Sequence, residues 1–497
     1  VCLSRYFHRR SLTISASFPF WKRGVVVLVG ACLIGLCIFG IRGRTGYNPI
    51  KVSAAYFCQD AFLNQLGVSP TFNLLTSVMD DMRPENKYLH LMDEQEAITK
   101  AQALLNRQGD ANVSPLAVYR HAAKADSVQQ RRPNVVLIMM ESMSSKLMKH
   151  FGQSETLTPF LDSLYTRSIS FRNFYSAGIH TNHGLYATLY SFPAMMKRNL
   201  MKGSVIPRYS GLPTVLKENG YYNFFFMTHE GQYDNMNAFF RTNGYDEVFS
   251  QEDYPADKVV NSFGVQDDFL YDYAIPVLNQ RAATGQPFFA TLLSISNHPP
   301  YVIPPFFHPK TSEPEMQIVE YADWALRQFF EEARKQPWFD NTIFVLEGDH
   351  GKLVGDAECE LPESYNHIPL MIYSSRIHPE EKNTFGGQVD IQPTILGLLN
   401  IDYLQNNFGV DLLKEERPCM FYTADNMVVG RNDTLLYLYN YETQQELTYH
   451  IDNGKLKAVP MDDRFLPLKE YSFSMLQSAE FLVKHGKTVN SVPFTQQ

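Results

Sequence analysis

From Pro133 onward, short apolar runs alternate with amphipathic stretches. NVVLIMM (134–140) leads to TPFLDSLYTRS, and YNFFFMT (222–228) leads to DNMNAFFRTNGY. FFATLLSIS (288–296), TIFVLEG (342–348) and IPLMIYS (368–374) follow, the last leading to DIQPTILGLLN. Strands alternating with helical patterns predict a parallel sheet with helices on both faces. After Val410-Asp411-Leu412 the pattern changes. LLYLYNYETQQELTYHIDN reads as a hairpin or meander, and an amphipathic helix is predicted around Ser472–Lys487. Upstream, Phe62, Leu63 and Leu66, then Phe72, Leu74, Leu75 and Val78, recur at spacings that a helix places on one face. Ala97 to Leu105 continues in that style until Gly109-Asp110 interrupts it.

Near the N-terminus, residues 24–41 read GVVVLVGACLIGLCIFGI, without a charge. A helix rising ~1.5 Å per residue spans a ~30 Å hydrocarbon core over this run. Lys22-Arg23 and Arg42–Arg44 bracket it, with Trp21 at one edge as an interfacial aromatic. The run is longer than a signal-peptide core, and Arg-Gly-Arg follows it in place of a small-residue cleavage site. Five basic residues precede the span and Arg42, Arg44 and Lys51 follow, a bias that places the C-terminal body outside the cytoplasm. The chain begins at Val1, not Met, which leaves room for further spans upstream. The expected organisation is an anchor (1–44), a helical connector (45–132), a catalytic domain (133–413) and a C-terminal subdomain (414–497).

Charge and cysteine content narrow the functional classes. Of 44 Lys and Arg, seven lie in residues 1–44, so the rest carries 37 against 52 acidic residues. A body of that sign is unsuited to nucleic acid, whose affinity comes from clustered Lys and Arg. Six cysteines exclude a disulfide scaffold; only Cys58, Cys359 and Cys419 fall in the non-membrane part other than terminal Cys2. Whether Cys359 pairs with Cys419 is open.

In doubly wound sheets, ligands bind beyond the carboxyl ends of the strands. Those ends here carry Glu141-Ser142, His229-Glu230, His298-Pro299 and Asp349-His350. Thr181 precedes an apolar-periodic run (Leu185, Leu189), which predicts a helix N-cap. A hydroxyl at such a terminus is also placed as a nucleophile, because helix N–H groups and the dipole favour an alkoxide and an incoming phosphate. Glu141, Thr181, Asp349 and His350 together offer three oxygens and one nitrogen. Such a set suits Mn²⁺ or Mg²⁺, with Zn²⁺ possible, for activating the Thr oxygen and neutralising phosphoryl charge.

Six motifs in order then resemble the lipoteichoic acid synthase-like, sulfatase-like branch of the alkaline-phosphatase superfamily. They are Asn134–Ser142, Gly178–Gly184, Ser296–Tyr301, Gly348–Gly351, His367-Ile-Pro-Leu and Asp390-Ile-Gln-Pro-Thr-Ile-Leu-Gly. The resemblance implies an α/β fold: a mostly parallel sheet flanked by helices, a small C-terminal antiparallel subdomain, an N-terminal helical connector and at least one transmembrane helix. It implies a bacterial cell-membrane enzyme with an extracytoplasmic catalytic domain. That enzyme moves phosphoglycerol from a phospholipid donor to an envelope glycan or glycolipid acceptor. In that likeness Thr181 matches the nucleophile, forming a phosphoglycerol-threonine intermediate. Glu141, Thr181, Asp349 and His350 match the ligands of one divalent metal, usually manganese. His298 matches a histidine on the substrate phosphate, and His229 is a further candidate for substrate binding. His367 either approaches the site or caps its strand.

One departure concerns the headgroup. Where lipoteichoic acid synthases place a Trp and an Arg, Asp234 and Met236 stand here. Phosphoethanolamine transfer, or hydrolysis of a phosphodiester or sulfate ester, are the alternatives, with a non-catalytic envelope binding protein behind them. A true sulfatase shows Cys-or-Ser-x-Pro-x-Arg; Ser191-Phe-Pro193-Ala-Met195 comes nearest and lacks the Arg.

Overall fold

The computed structural model describes residues 19–45, 49–58, 61–83, 87–105, 118–123, 132–203, 206–452 and 454–490. Cys2, the basic residues Arg5, Arg9 and Arg10, and the Gly109-Asp110 break lie outside them. The chain divides into two compact units, Val1–Ala54 and Ala55–Gln497. The first holds helix α1 (Phe20–Arg42), none of whose residues is buried, and which is long and apolar enough to cross a membrane. Gly43 ends it in the left-handed region (φ 74°), donating its N–H to Phe39 O at 2.9 Å.

The second unit begins with three helices, α2 (Ala61–Leu66), α3 (Pro70–Asp81) and α4 (Glu94–Leu105), where helical spacing predicts them. Ser69 caps α3 through Phe72 N–H. The main sheet has eight strands: β2 (Asn134–Met140), β3 (Ile169–Tyr175), β4 (Tyr222–Met227), β5 (Glu247–Phe249), β6 (Phe288–Leu293), β7 (Thr342–Gly348), β8 (Leu370–Tyr373) and β9 (Glu380–Gly387). A short β1 (Tyr119–Ala122) pairs elsewhere, antiparallel to β10 (Tyr403–Asn406). The strand order is β5-β4-β6-β2-β7-β8-β3-β9. All neighbours are parallel except β8, which runs antiparallel to both β7 and β3. The expectation of a parallel sheet therefore needs one reversed strand.

Every residue of β2, β6 and β7 is buried, as a sheet covered on both faces requires. Val136 and Ile138 face a core shared with α5 (Pro159–Tyr165), α9 (Asp267–Ala282) and α10 (Pro314–Ala333). On the other face Phe225 stacks on Phe240 of α8 (Met236–Thr242). Neighbouring Phe239 meets Tyr190 of α6 (Thr181–Tyr190), and α7 (Leu212–Glu218) and α11 (Ile391–Leu398) complete that layer.

The C-terminal part is a five-stranded antiparallel meander: β11 (Met420–Thr423), β12 (Met427–Arg431), β13 (Leu435–Asn440), β14 (Gln445–Asp452) and β15 (Lys455–Ala458). Helix α12 (Leu466–Lys484) packs against it and against α4. It starts six residues before the predicted Ser472, because Pro467 sits in its first turn, where a missing N–H costs nothing. Cys359 and Cys419 are both free thiols.

Candidate active site

Two of the strand ends meet at the centre of the sheet. Asn134 pairs with Thr342 and Met140 with Gly348, so β2 and β7 run out together and deliver Glu141 beside Asp349-His350. Ligand atoms of Glu141, Asp349 and His350 lie within 4.8 Å of one another. Both carboxylates are buried, at 1% and 0% exposure. Ser142 follows β2 with φ 51°, a left-handed conformation that costs a non-glycine residue energy and holds the turn in place.

The hydrogen bonds explain the orientation of each group. Asp349 Oδ1 accepts from Ser142 N–H (2.8 Å) and from its neighbour His350 N–H (2.7 Å). Its Oδ2 is buried with no hydrogen-bond donor. Ser142 Oγ donates to Glu141 Oε1 at 2.7 Å. His350 Nδ1 lies 2.8 Å from Gly351 O, so with the proton on Nδ1 the other nitrogen is a free acceptor. That Nε2 stands 3.6 Å from Asp349 Oδ2 and 3.8 Å from Glu141 Oε1. Burial, and then the charge of Asp349, push the Glu141 carboxyl well above its ordinary range. Two carboxylates facing each other out of water, one oxygen lacking a donor and one imidazole lone pair turned inward, make a donor set that fits a hard divalent cation.

Thr181 is brought to the same place. Its hydroxyl donates toward Glu141 Oε2 at 3.4 Å. It is the first residue of α6, while His180, in extended conformation, is the N-cap; the sequence reading had put the cap one residue too far. The helix approaches the strand end closely because residue 184 is glycine: a Cβ there would lie 2.3 Å from Asp349 O. Gln388 fastens the junction, its Nε2 donating to Gly348 O (3.1 Å) and Asp349 O (2.8 Å) while its Oε1 accepts from Ala177 N–H (2.9 Å). Ser191, in the nearest approach to a sulfatase motif, lies at the opposite end of α6, buried, its Oγ on Gln392 Oε1 at 3.1 Å.

The three further histidines divide. His298 stacks on Phe263 (4.0 Å between ring centres), Phe263 meets Tyr233 (6.3 Å), and Tyr233 meets His229 (4.7 Å), so one aromatic chain joins both imidazoles. His229 is buried, and burial lowers its pKa. His367 is committed to a different set of neighbours. It lies 2.8 Å through Nε2 from Arg172 O, its ring between Tyr175 and Phe151, while its backbone accepts from Ser145 N–H.

Contacts between distant residues complete the site. Asn297 Nδ2 donates to Glu141 O and Ser142 O, both at 3.1 Å, and its Oδ1 accepts from Lys352 Nζ at 2.9 Å. Lys352 is mostly buried, which lowers its pKa, and it is two residues beyond His350. Asn182 donates to Asp234 Oδ2 (3.2 Å), whose other oxygen pairs with Lys202 at 2.9 Å. His180 pairs with Asp425 of the meander at 2.7 Å. Beneath it His183 is fully buried, and burial holds its pKa to about 3. Asn297 lies inside the Ser296–Tyr301 motif and Lys352 one residue beyond Gly348–Gly351, but their contact spans 55 positions and carries no local signal.

A family model described as Sulfatase matches residues 133–401. Lipoteichoic acid synthase 1 of Bacillus subtilis is 26% identical over 354 residues, covering 65% of this chain and 54% of its own. The lipoteichoic acid synthase of Staphylococcus aureus (strain USA300) is 23% identical over 374 residues, covering 67% and 54%. The chain thus spans about half the length of these curated relatives. An alkaline phosphatase superfamily protein from Vibrio parahaemolyticus superposes with a TM-score of 0.73 at 25% identity, covering 82% of this chain and 100% of that one. The lipoteichoic acid synthase LtaP from Listeria monocytogenes gives 0.63 at 20% identity, covering 78% and 98%. The fold is alkaline-phosphatase-like, as the sequence motifs imply.

Proposed function

The chain belongs to the sulfatase family, and from that footing we propose that it is a membrane-anchored phosphotransferase, moving a phosphoglycerol-type headgroup from a phospholipid to an envelope glycan or glycolipid. The observation that carries this reading is the Thr181 hydroxyl, 3.4 Å from Glu141 at the start of a helix, beside the Glu141–Asp349–His350 cluster. Its likeness to lipoteichoic acid synthases supports the lipid substrate. The organisation we propose is an anchor (1–44), a connector (45–132), a catalytic domain (133–413) facing away from the cytoplasm and a C-terminal subdomain (414–497).

In the first half-reaction Thr181 Oγ1 bonds to the headgroup phosphorus and the P–O bond to diacylglycerol breaks, the leaving oxygen taking up a proton. Glu141 Oε2 is the atom placed toward the threonine proton. The N-terminal dipole of α6 favours the charge that develops there. In the second half-reaction an acceptor hydroxyl oxygen bonds to phosphorus as the Thr181 Oγ1–P bond breaks, and the acceptor's proton returns to Thr181 Oγ1. Glu141, Thr181, Asp349 and His350 would hold one divalent cation, Mn²⁺ before Mg²⁺ or Zn²⁺, which when bound neutralises phosphoryl charge and acidifies the hydroxyl. His298 and His229 line the approach of the phosphate, and His367 is assigned to holding the strand, not the substrate. Asp234, engaged by Asn182 and Lys202, leaves room for a headgroup other than glycerol.

Intact-mass spectrometry of the full chain in detergent, with Mn²⁺ and phosphatidylglycerol or phosphatidylethanolamine, tests the proposal. A Thr181-dependent adduct of phosphoglycerol or phosphoethanolamine mass supports transfer and names the headgroup. Lipid turnover without an adduct, but still requiring Asp349, points to a hydrolase; neither result in wild type rejects the reading.

A further inference from the structure

Helix α3 is amphipathic the wrong way round. Leu74, Leu75, Val78, Met79 and Met82 lie on its exposed side, at 49–77% exposure, and Leu66 of α2 extends the stripe at 67%. The polar side is turned toward the body. Ser77, Asp80 and the following Arg83 line a cavity of about 260 Å³ whose other wall carries Lys197, Arg198 and Lys202. An aqueous helix buries its apolar stripe, so this one is shaped to present it.

We propose that this stripe rests in the headgroup–acyl boundary of the bilayer that α1 enters, and so brings the active site to its lipid donor. The inference rests on the membrane reading given above. Three observations choose the bilayer as occupant. Strongly exposed large apolar side chains cluster in α1 and in the segment just after it; beyond Leu104 the described residues show only Val260, Phe306, Leu353 and Leu466. Residues 43–69 separate Arg42 from the first turn of α3, a tether that lets the helix reach the surface α1 enters. The lining of the cavity behind α3 holds four cations (Arg83, Lys197, Arg198, Lys202) against one acid (Asp80), and a lipid phosphate there would share the half-exposed Lys197 and Lys202 with their partners Glu442 and Asp234. Lys202 pairs with Asp234, which accepts from Asn182, the residue after Thr181. Interfacial helices of this kind sink their apolar face ~5–10 Å into the boundary.

Tryptophan depth reads this directly. The full chain, reconstituted in phosphatidylcholine–phosphatidylglycerol vesicles with brominated acyl chains, contains Trp21 as an internal membrane reference and Trp324 and Trp338 in the catalytic body. Leu75→Trp and Met79→Trp, both at well-exposed positions, add a probe on the stripe. The expected result is quenching of the added tryptophan as strong as that of Trp21. Quenching of Trp21 alone overturns the docking and leaves the membrane anchor standing; quenching of neither overturns both. Cross-linking of one α3 to another with the probe unquenched assigns the stripe to a second copy and also overturns it. As an independent arm, Leu75→Glu/Met79→Glu lowers turnover of vesicle lipid about tenfold or more, while hydrolysis of a soluble aryl phosphodiester is unchanged. Equal loss on both substrates overturns the proposal.

Discussion

Thr188 Oγ1 donates to the buried carboxylate of Glu347 at 2.5 Å, and this bond ties the helix that begins at Thr181 to the strand that ends in Asp349-His350. Thr188 donates to Glu347 Oε1, and Oε2 is buried without a donor. Thr188→Val removes the one hydroxyl that satisfies the group, leaving a buried acid unpaired. The expected cost is about 1–3 kcal/mol, read as a lower denaturation midpoint at unchanged slope.

Gly184 makes a different prediction. An alanine methyl at that position meets the Asp349 carbonyl, a backbone atom that cannot swing away. Gly184→Ala therefore displaces helix or strand end by a fraction of an ångström. Misplacement on that scale is expected to lower kcat about 10–100-fold, with circular dichroism still native.

Removing a carboxylate should separate metal binding from folding. Wild type is expected to gain thermal stability with Mn²⁺, about 2.7 kcal/mol at a hundredfold excess over Kd. Asp349→Asn relieves the repulsion with Glu141, so the metal-free variant melts no lower than metal-free wild type, and added Mn²⁺ no longer raises it. A differential scanning titration of both proteins checks this.

The Glu363–Arg431 pair supplies a pH prediction. Burial alone would raise the Glu363 carboxyl, but Arg431 at 2.5 Å, with His367 and Lys146 beyond it, holds it to about 2. The Tyr175 hydroxyl also donates to it, at 3.2 Å. A depressed carboxyl stabilises the fold above its unfolded pKa of 4.5, and that contribution is lost as pH falls toward about 2. Because Glu363 is 31% exposed, the effect is discounted to about 1–2 kcal/mol. Wild type should lose that much more stability than Glu363→Gln on acidification below about pH 4.5, measured by urea unfolding.

Much of this was legible along the chain, for physical reasons that differ by element. TIFVLEG coincides with β7 and NVVLIMM with β2, since a strand buried on both faces must be apolar throughout. Their ends had to hold Glu141 and Asp349-His350, and the structure brings those together with Thr181. β9 was not read, because the first half of this edge strand (Glu380–Gly387) is mostly exposed and its sequence has no apolar pattern. The reversal of β8 is a matter of connection, not composition. For α3 the spacing gave the helix but not the direction of its apolar side, since periodicity says that a stripe exists and not what it faces. The contact of Lys352 with Asn297 was not legible because each residue is ordinary until the other is placed beside it.

The central pairing of Asn134 with Thr342 also sets an order of events in synthesis. Neither half of the acidic cluster means anything alone, and the second half emerges more than two hundred positions after the first. A nascent chain that has exposed its hydroxyl-bearing helix is therefore still inert. On the proposed reaction, capacity arrives late, when the middle of the sheet closes, and truncated products carry Thr181 without the complete acidic cluster.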